Sequence, residues 1–379
     1  MDYIRVLDEI FNQFKGSKFS VQMWDGKERS YGKGKTEKFT IEFQDANTVK
    51  RLLSQGSLGF GESYMSGAIK IKGNIEEYLA LRHQFRQVIR TPHLIVAKLV
   101  SNFFIPSKRE DQISYHYDLG NEFFKLILDN KTMSYSSGFY ENENELLEIA
   151  QIKKIDFICK WLDLKKNSSL LDIGSGWGGF AIHAAQKYKA HVTGLTLSRE
   201  QLKYSQELVK SKKLTKFVNF KYKDMLKLPK EKFDSVLVLE SIEHVGKSNL
   251  SYYMKNLENV VRPGGAMVIQ TTGTYKQKRV DKWTLKYVFP GGYLPSQEEL
   301  IDNARNAGFR LEEFRDDTSH YILTMSEWIK NLESHKNEIE RMFDPSFFNL
   351  WYLWMHGAKV AFEMRSMGLF RFKLRNPLK

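Results

Sequence analysis

The sequence predicts an α/β protein whose larger part is built on a mostly parallel β-sheet. Short apolar runs alternate with helical patterns between about residues 169 and 272, and repeated β–α units of this kind form parallel sheets covered on both faces. A glycine-rich turn, GSGWGG at 174–179, follows the first of these runs. Residues 17–72 alternate as strands do, which predicts a small α+β domain before the sheet.

The amino-terminal domain is predicted to cover residues 1–90. Its strand-like runs are KFSVQMWDG, KFTIEF and AIKIKG, with a helical ANTVKRLLSQG between the last two and a further helix from Asn74 to about Arg90. Residues 91–112 are apolar in the middle and basic or proline-marked at both ends. They are predicted to connect two domains, and an interfacial helix lying on a membrane is the alternative.

The larger domain is predicted to cover residues 113–379. Its strands are expected at 169–173, 190–196, 217–221, 233–239 and 266–272, and its helices at about 178–188, 198–212 and 248–261. Residues 276–365 are rich in aromatic residues and largely helical in pattern, which predicts a helical cap, or lid, over the sheet. Ligands of such sheets bind at the carboxyl ends of the strands.

Composition narrows the class of protein. The chain has 379 residues, 42% of them hydrophobic and 13% aromatic, which suits two folded domains and excludes a disordered chain. A single cysteine, Cys159, excludes a disulfide framework and is predicted to be a buried packing residue. The net charge of +13 favours an anionic partner. Because no signal peptide or membrane-spanning stretch is visible, we expect a cytoplasmic protein, soluble or bound to a membrane face.

The polar residues at the strand ends favour one cofactor class. An NAD site would place an acid at the end of the second strand, where this chain has Thr196. Asp172 precedes the glycine turn and is placed to orient that turn or to meet a cationic ligand. Asp224, after the third strand, is placed to accept a hydrogen bond from an adenine amino group. These positions suit S-adenosylmethionine, whose sulfonium and ammonium groups are positive.

Six motifs in order carry a resemblance to a known family. They are HYDLGNEFF (116–124), MSYSSGFY (133–140), LLDIGSGWGGF (170–180), TLSREQ (196–201), IEHVG (242–246) and KYVFPGGYLPS (286–296). Together they resemble the cyclopropane-fatty-acyl-phospholipid synthase family, which includes the mycolic acid cyclopropane synthases. The resemblance covers residues 110–379, and QGSLGFGESYMSG (55–67) is similar to the amino-terminal domain of longer bacterial members.

The resemblance implies a class I methyltransferase fold, S-adenosylmethionine as cofactor, and unsaturated acyl chains of membrane phospholipid as substrate. It also implies which residues contact the cofactor. These are Tyr135, Ser136, Asp172, Gly174, Ser175, Gly176, Trp177, Gly178, Thr196, Leu197, Gln201, Asp224 and Met225.

The implied chemistry requires a water-poor pocket with aromatic walls. Methyl transfer to an alkene leaves a carbocation on the acyl chain, which aromatic faces can stabilise without capturing it. Tyr117, Tyr135 and the aromatic residues of 283–354 are the candidates for such faces.

A base must then remove a proton, and in this family the resemblance implies a bound bicarbonate. It would be held by a Glu, a His, a Tyr and the backbone amides of a Cys and an Ile. Glu243 and Tyr321 match the Glu and the Tyr, whereas Ser137, Gln270 and Thr272 stand at the Cys, His and Ile positions. Because backbone amides remain and glutamine can still donate, we expect weaker holding of the anion rather than loss of the site. His244, beside Glu243, is predicted to be structural, and no metal is expected.

Four functions remain open from the sequence. The first is cyclopropanation of unsaturated phospholipid in anionic membranes, by an enzyme bound peripherally to the inner membrane face. The second, motivated by Gln270 and Thr272, is a lipid methyltransferase that forms a methyl-branched or methylene product. The others are a small-amine N-methyltransferase and an inactive lipid-binding protein. No nucleic-acid-recognition motif accompanies the charge. The oligomeric state stays open, and a homodimer is compatible with the resemblance.

Overall fold

The computed structural model describes residues 2–88 and 120–378 and divides into two compact units. Within these residues, one unit comprises residues 2–88, Asp281–Val288 and His335–Val360, and the other comprises residues 120–280, Phe289–Ser334 and residues 361–378. The predicted connector at 91–112 and the candidate residue Tyr117 lie outside the described residues. The domain boundaries drawn from the sequence therefore stay predictions.

The amino-terminal elements form the predicted small α+β arrangement. The strands build a sheet in the order β2-β1-β3-β4, in which β1 and β3 are parallel and the other neighbours antiparallel. Phe19 and Phe39 stack inside it, with ring centroids 5.1 Å apart. The elements are α1 (Tyr3–Phe11), β1 (Lys18–Gln22), β2 (Glu28–Tyr31), β3 (Glu37–Phe43), α2 (Ala46–Gln55), α3 (Ser57–Met65), β4 (Ile69–Gly73) and α4 (Ile75–Val88).

The second unit contains the predicted β–α series. Its five predicted strands and three predicted helices are confirmed within a few residues, except that the last strand begins earlier, at Val261. The elements are α5 (Asn121–Ile127), α6 (Leu147–Trp161), β5 (Ser169–Ile173), α7 (Gly179–His183, continued by a π-helical turn, Ala184–Tyr188), β6 (His191–Thr196), α8 (Arg199–Ser211), β7 (Val218–Tyr222), β8 (Phe233–Leu239), α9 (Leu250–Val260) and β9 (Val261–Gly273).

The carboxyl-terminal part is largely helical, as predicted, but also adds two strands. β10 lies within residues 276–365, where the sequence predicted a largely helical segment and no strand. It is an edge strand with mostly exposed side chains, so its sequence lacks the alternation that marks a half-buried strand. The elements are α10 (Lys282–Tyr287), α11 (Gln297–Ala307), β10 (Arg310–Asp316), α12 (Thr318–Ser334), α13 (Lys336–Met342), α14 (Pro345–Glu363) and β11 (Gly368–Arg375).

The large sheet has the strand order β10-β11-β9-β8-β5-β6-β7. Strands β7, β6, β5, β8 and β9 are parallel, whereas β11 runs antiparallel to both β9 and β10. The chain leaves β5 towards β6 on one side and later returns to β8 on the other. Such a reversal opens a crevice at the carboxyl ends of the strands, which is the usual ligand site of open α/β sheets.

Apolar residues cover both faces of this sheet, as the β–α series predicts. One face packs against α6 and α7 through residues such as Ile155 and Phe180, and the other packs against α9 and α11 through Met254 and Leu300. Cys159 is fully buried in the first of these cores, in agreement with its predicted packing role. Within the described ranges, no helix has the length and apolar character needed to cross a bilayer.

Candidate active site

A cavity lies at the carboxyl ends of β5, β6 and β8. It is formed by a loop that precedes α6, by the glycine turn after β5, and by the residues that end β6 and β8. The lining residues are Thr132, Met133, Ser134, Tyr135, Ser136, Asp172, Gly174, Ser175, Gly176, Trp177, Gly179, Phe180, Leu195, Thr196, Leu197, Gln201, Lys223, Met225, Leu239, Glu240, Ser241 and His244.

Glycines let the main chain of this turn lie closer to the cavity than residues with a side chain would. Gly174 has a φ of +80°, and a Cβ built there would lie 2.5 Å from the Cβ of Ser241. Gly176 has a φ of +53° and faces open space in the described part of the chain. A left-handed backbone of this kind favours glycine, and the open side lets a ligand approach the main chain.

Asp172 supplies a buried carboxyl group to this cavity. The residue is 1% exposed, and its Oδ2 has no hydrogen-bond partner among the described residues. Burial raises the pKa of Asp172 to about 7, and the charge of the buried Lys154 opposes this rise. An acceptor of this kind needs a cationic or hydrogen-bonding partner, so the pocket fits a positively charged ligand.

Helix α6 holds the loop of residues 132–136, which also lines the cavity. Gln151 donates to the carbonyl oxygen of Ser136 at 2.7 Å, and the Lys154 ammonium donates to the Ser136 hydroxyl at 2.8 Å. These two donors lie three residues apart, on one face of the helix. Burial lowers the pKa of Lys154 to about 8, while the nearby Glu240 and Asp129 carboxylates favour its charged form.

The predicted cofactor residues mostly meet at this cavity. Eleven of the thirteen line it, and Thr196 donates to the side-chain oxygen of Gln201 at 3.0 Å. Gly178 lies behind the cavity, where it begins α7 with a φ of +87°. Asp224 lies between two lining residues but does not line the cavity itself.

The predicted base site holds a protein carboxylate, Glu240. Its Oε1 accepts from the Ser137 backbone N–H at 2.9 Å and from Gln270 Nε2 at 2.7 Å, while its Oε2 accepts from the Tyr321 hydroxyl at 2.7 Å. Glu240 lines the cavity, whereas its three donors do not. The sequence reasoning missed this residue, although an acid directly after an apolar strand is the available signal.

The bicarbonate that the resemblance implied does not fit this arrangement. Its predicted donors Ser137, Gln270 and Tyr321 are brought together, but on the carboxylate of Glu240. The Gln270 amide also donates to the Ser137 carbonyl at 3.4 Å, so both of its hydrogens are engaged. Burial raises the pKa of Glu240, and the three donors oppose that rise by favouring the ionised form.

A buried arginine sets the orientation of Gln270. Arg371 Nε donates to Gln270 Oε1 at 2.7 Å, and the same guanidinium pairs with Asp317 and donates to the Gly138 carbonyl at 3.2 Å. Because arginine can only donate, the Gln270 oxygen must face it, and the amide nitrogen must then face Glu240. The sequence reasoning did not single out Arg371.

Glu243 forms a separate set of contacts with the end of β9. Its Oε1 accepts from the Thr271 hydroxyl at 2.7 Å, from the Thr272 N–H at 2.7 Å and from the Thr272 hydroxyl at 2.9 Å. Burial, and then the negative charge of Glu240, raise the pKa of Glu243 to about 7. Thr272 and Glu243, which the resemblance implied would both hold the bicarbonate, therefore contact each other instead, and Glu243 shares none of the Glu240 donors named above.

Fold and site together define the class of this protein. The parallel sheet, the glycine turn and the Asp172 oxygen, which has no partner among the described residues, are those of a class I S-adenosylmethionine-dependent methyltransferase. Asp172, Thr196, Gln201 and the glycine turn would hold the cofactor, which supplies an electrophilic methyl group when bound.

Comparison with known proteins shows the family. A model described as mycolic acid cyclopropane synthetase matches residues 106–372, so the chain belongs to this family. A domain of unknown function matches residues 6–88. The cyclopropane-fatty-acyl-phospholipid synthase of Escherichia coli K12 is 31% identical over 345 residues, which are 87% of this chain and 86% of that one.

Two further matches agree with this assignment. A probable fatty acid methyltransferase of Pseudomonas putida is 30% identical over 352 residues, covering 90% of this chain and 88% of that one. The solved structure of the cyclopropane synthase MmaA2 from Mycobacterium tuberculosis has a TM-score of 0.67 at 25% identity, covering 71% of this chain and 99% of that one.

Asp172 should make cofactor binding depend on pH. With a pKa of about 7, roughly half of the Asp172 carboxyl groups carry a proton at pH 7, and a cationic ligand favours the ionised form. Binding of S-adenosylmethionine should therefore release about half a proton at pH 7 and should strengthen between pH 6 and pH 8. Calorimetry in buffers of different ionisation enthalpy measures the release. Asp172→Asn should abolish it, whereas Asp156→Asn, outside the cavity, should not; no release from the unaltered protein would exclude this role.

Glu243→Gln should lower turnover without weakening cofactor binding. With a pKa of about 7, Glu243 carries a negative charge on about half of the molecules at pH 7 and on more of them at higher pH. The substitution removes this charge beside Glu240, which reduces the stabilisation of a developing cation and the basicity of its neighbour. We expect turnover to fall about tenfold or more, with the dissociation constant for S-adenosylhomocysteine changed less than threefold. Initial rates and calorimetry measure the two quantities. Glu313→Gln, on exposed β10, is the matched control, and unchanged turnover in Glu243→Gln would remove Glu243 from the mechanism.

Proposed function

We propose that this protein is a cyclopropane-fatty-acyl-phospholipid synthase. It transfers a methylene from S-adenosylmethionine to the cis double bond of unsaturated acyl chains in phospholipid. The proposal is supported by membership of the family and by the cluster of aromatic rings beside the cofactor cavity. The Escherichia coli relative carries this activity in its name.

The aromatic cluster, Tyr135, Trp328, Tyr321 and Phe362, is the observation that carries the proposal. Tyr135 lines the cavity and stacks on Trp328 with centroids 5.1 Å apart. The rings of Trp328 and Tyr321 are nearly perpendicular, with centroids 6.0 Å apart. Tyr321 stacks on Phe362, with centroids 4.5 Å apart. Such faces stabilise a cation by about 0.5–2 kcal/mol each and offer it no nucleophile.

The chemistry assigns separate tasks to two groups of residues. The glycine turn, Asp172 and Gln201 would hold the methyl donor, while Tyr135, the ring of the aromatic cluster that lines the cavity, would face the alkene carbon that becomes positive, with the other rings packed behind it. A poor nucleophile such as an isolated alkene reacts only when held in line with the methyl, so positioning supplies much of the rate. Ring closure then needs a proton acceptor near the new methyl group.

A lipid methyltransferase that forms a methyl-branched or methylene product is the second candidate. The observation that favours it is the occupation of the predicted bicarbonate donors by Glu240, which changes the base relative to the family pattern. The Pseudomonas putida relative is named only as a probable fatty acid methyltransferase. The two candidates share cofactor, cavity and cationic intermediate, and differ in which proton leaves.

We further propose that the protein works at an anionic membrane surface, on the cytoplasmic side. The net charge of +13 supports this, because each Lys or Arg near an anionic leaflet adds about 1 kcal/mol of attraction. Phospholipid substrate also requires access to a bilayer.

The isotope content of the product should identify the reaction. Purified protein is incubated with S-adenosylmethionine carrying a trideuterated methyl and with vesicles of unsaturated, partly anionic phospholipid, and the acyl chains are analysed by mass spectrometry. We expect two deuterium atoms in a product that resists ozonolysis, because the methyl loses one hydron as the ring closes.

Other isotope patterns identify the alternatives. Three deuterium atoms would indicate a methyl-branched chain, and two in a product that ozone cleaves at the branch would indicate a methylene group; either contradicts cyclopropanation. Absence of labelled lipid would contradict lipid modification as a whole and would favour an amine substrate or lipid binding alone. A reaction without enzyme is the control.

Vesicle binding should depend on anionic lipid and on salt. Sedimentation with vesicles of phosphatidylglycerol and phosphatidylcholine should recover most of the protein at low ionic strength. Recovery should fall strongly by 0.5 M salt, because screening shortens the Debye length to a few ångströms. Neutral phosphatidylcholine vesicles are the control, and equal, salt-independent binding to them would contradict electrostatic recruitment.

A further inference from the structure

We propose that the carboxylate of Glu240 is the proton acceptor of the reaction, built into this chain where the family pattern implies a bicarbonate. The inference rests on the proposed function. It names a catalytic group that lines the same cavity as the predicted cofactor residues and accepts hydrogen bonds from Ser137, Gln270 and Tyr321.

The hydrogen bonds leave one position of the carboxylate free to act. An ionised carboxylate offers about four lone-pair sites on its two oxygens. Oε1 uses two of them, for the Ser137 N–H and for Gln270, whereas Oε2 uses one, for the Tyr321 hydroxyl. In the described part of the chain the remaining site belongs to Oε2, so Oε2 is the atom that receives the proton.

The backbone at Glu240 supports a functional reason for this residue. Its φ is +46°, in the left-handed region that favours glycine. A glutamate held there is strained, and strain of this kind persists where the surrounding contacts fix the residue. Here those contacts are the three donors and the Glu240 N–H, which donates to the Gln270 carbonyl at 2.7 Å.

Gln270 and Arg371 act as positioning residues for this base. Arg371 and Gln270 are opposite each other on the antiparallel strands β11 and β9, so the sheet register sets their contact. Gln270 joins the buried guanidinium to Glu240 without adding a charge of its own. It therefore holds the carboxylate without the direct ion pair that would lower its basicity.

The proton-transfer step balances without any further reactant. After methyl transfer the acyl chain carries a positive carbon next to the carbon that bears the new methyl. Glu240 Oε2 takes one proton from that methyl, and the electron pair of the broken C–H bond forms the C–C bond that closes the ring. The product is neutral, Glu240 is a carboxylic acid, and its proton passes to solvent when the product leaves.

Removal of the carboxylate should create a bicarbonate-dependent enzyme. Glu240→Gly opens the anion position and relieves the left-handed strain, which offsets part of the cost of the lost hydrogen bonds; binding of S-adenosylhomocysteine checks that the variant folds. In bicarbonate-free buffer its turnover should fall about a hundredfold or more, and added bicarbonate should restore it at least tenfold. Glu240→Gln fills the same space with a neutral amide, so it should lose activity equally without rescue. The unaltered protein should change less than twofold on bicarbonate removal.

Thermal unfolding, which needs no lipid substrate, tests this inference separately from the proposed function. Bicarbonate should raise the melting temperature of Glu240→Gly, because only this variant leaves the three donors unpaired. It should not change the melting temperature of Glu240→Gln or of the unaltered protein. Sodium chloride at equal ionic strength is the control. S-adenosylhomocysteine binding by calorimetry reports whether each variant is folded.

Three results would overturn the proposal that Glu240 is the base while leaving lipid modification intact. They are near-normal turnover of Glu240→Gly without bicarbonate, bicarbonate dependence of the unaltered protein, and a folded glycine variant that bicarbonate neither stabilises nor rescues. If the unaltered protein modifies no lipid, the proposed function fails, and the melting experiment alone still decides whether Glu240 fills the anion position. If the glycine variant does not fold, bicarbonate dependence of the unaltered protein is the deciding measurement.

Discussion

The hydrogen bonds to Glu240 hold together the three segments on which the site depends. Ser137 comes from the loop before α6, Gln270 from β9 and Tyr321 from α12, and all three meet one carboxylate directly after β8. A buried charge that lost one of these donors would be costly, since hydrogen bonds to charged groups contribute about 1.5–3 kcal/mol each. The position of the loop that lines the cofactor cavity is therefore coupled to the position of the aromatic helix α12.

The need to compensate each buried charge also explains the other charged residues behind the cavity. Lys154 and Arg371 are fully buried cations, while Asp172, Glu240 and Asp317 are acids removed from most solvent contact. Each cation is held by polar groups on the protein, Lys154 by Ser136 and Arg371 by Asp317 and Gln270, as buried charges require. The site thus keeps two acids, Asp172 and Glu240, at the ends of the neighbouring strands β5 and β8, one suited to a cationic cofactor and one suited to a proton.

The sequence predicted the fold well because strong periodic signals define it. The β–α series, the glycine turn and the strand-end residues depend on local patterns, and Asp172 and Thr196 line the cavity as expected. β10 was missed because its side chains are mostly exposed. Arg371 was missed because its meeting with Gln270 depends on the register of two strands about a hundred residues apart, which no local pattern encodes.

Glu240 was missed for a different reason, since the sequence offered two acids, Glu240 and Glu243, close to the end of β8. Which of them meets Tyr321 depends on the left-handed backbone at Glu240. Glycine is the expected residue in that conformation, and a glutamate there costs about 1–2 kcal/mol. Three hydrogen bonds to a charged group more than offset this strain.

A carboxylate that belongs to the chain also removes the need for the reaction to recruit a dissolved anion as its base. A dissolved anion loses translational and rotational freedom each time it binds, whereas a side chain on the cavity wall has lost that freedom on folding. The strain at Glu240 is thus small beside the ordering that a free anion would need. This comparison gives a physical reason for a glutamate at a position whose backbone favours glycine, and it makes the base a property of the chain rather than of the medium.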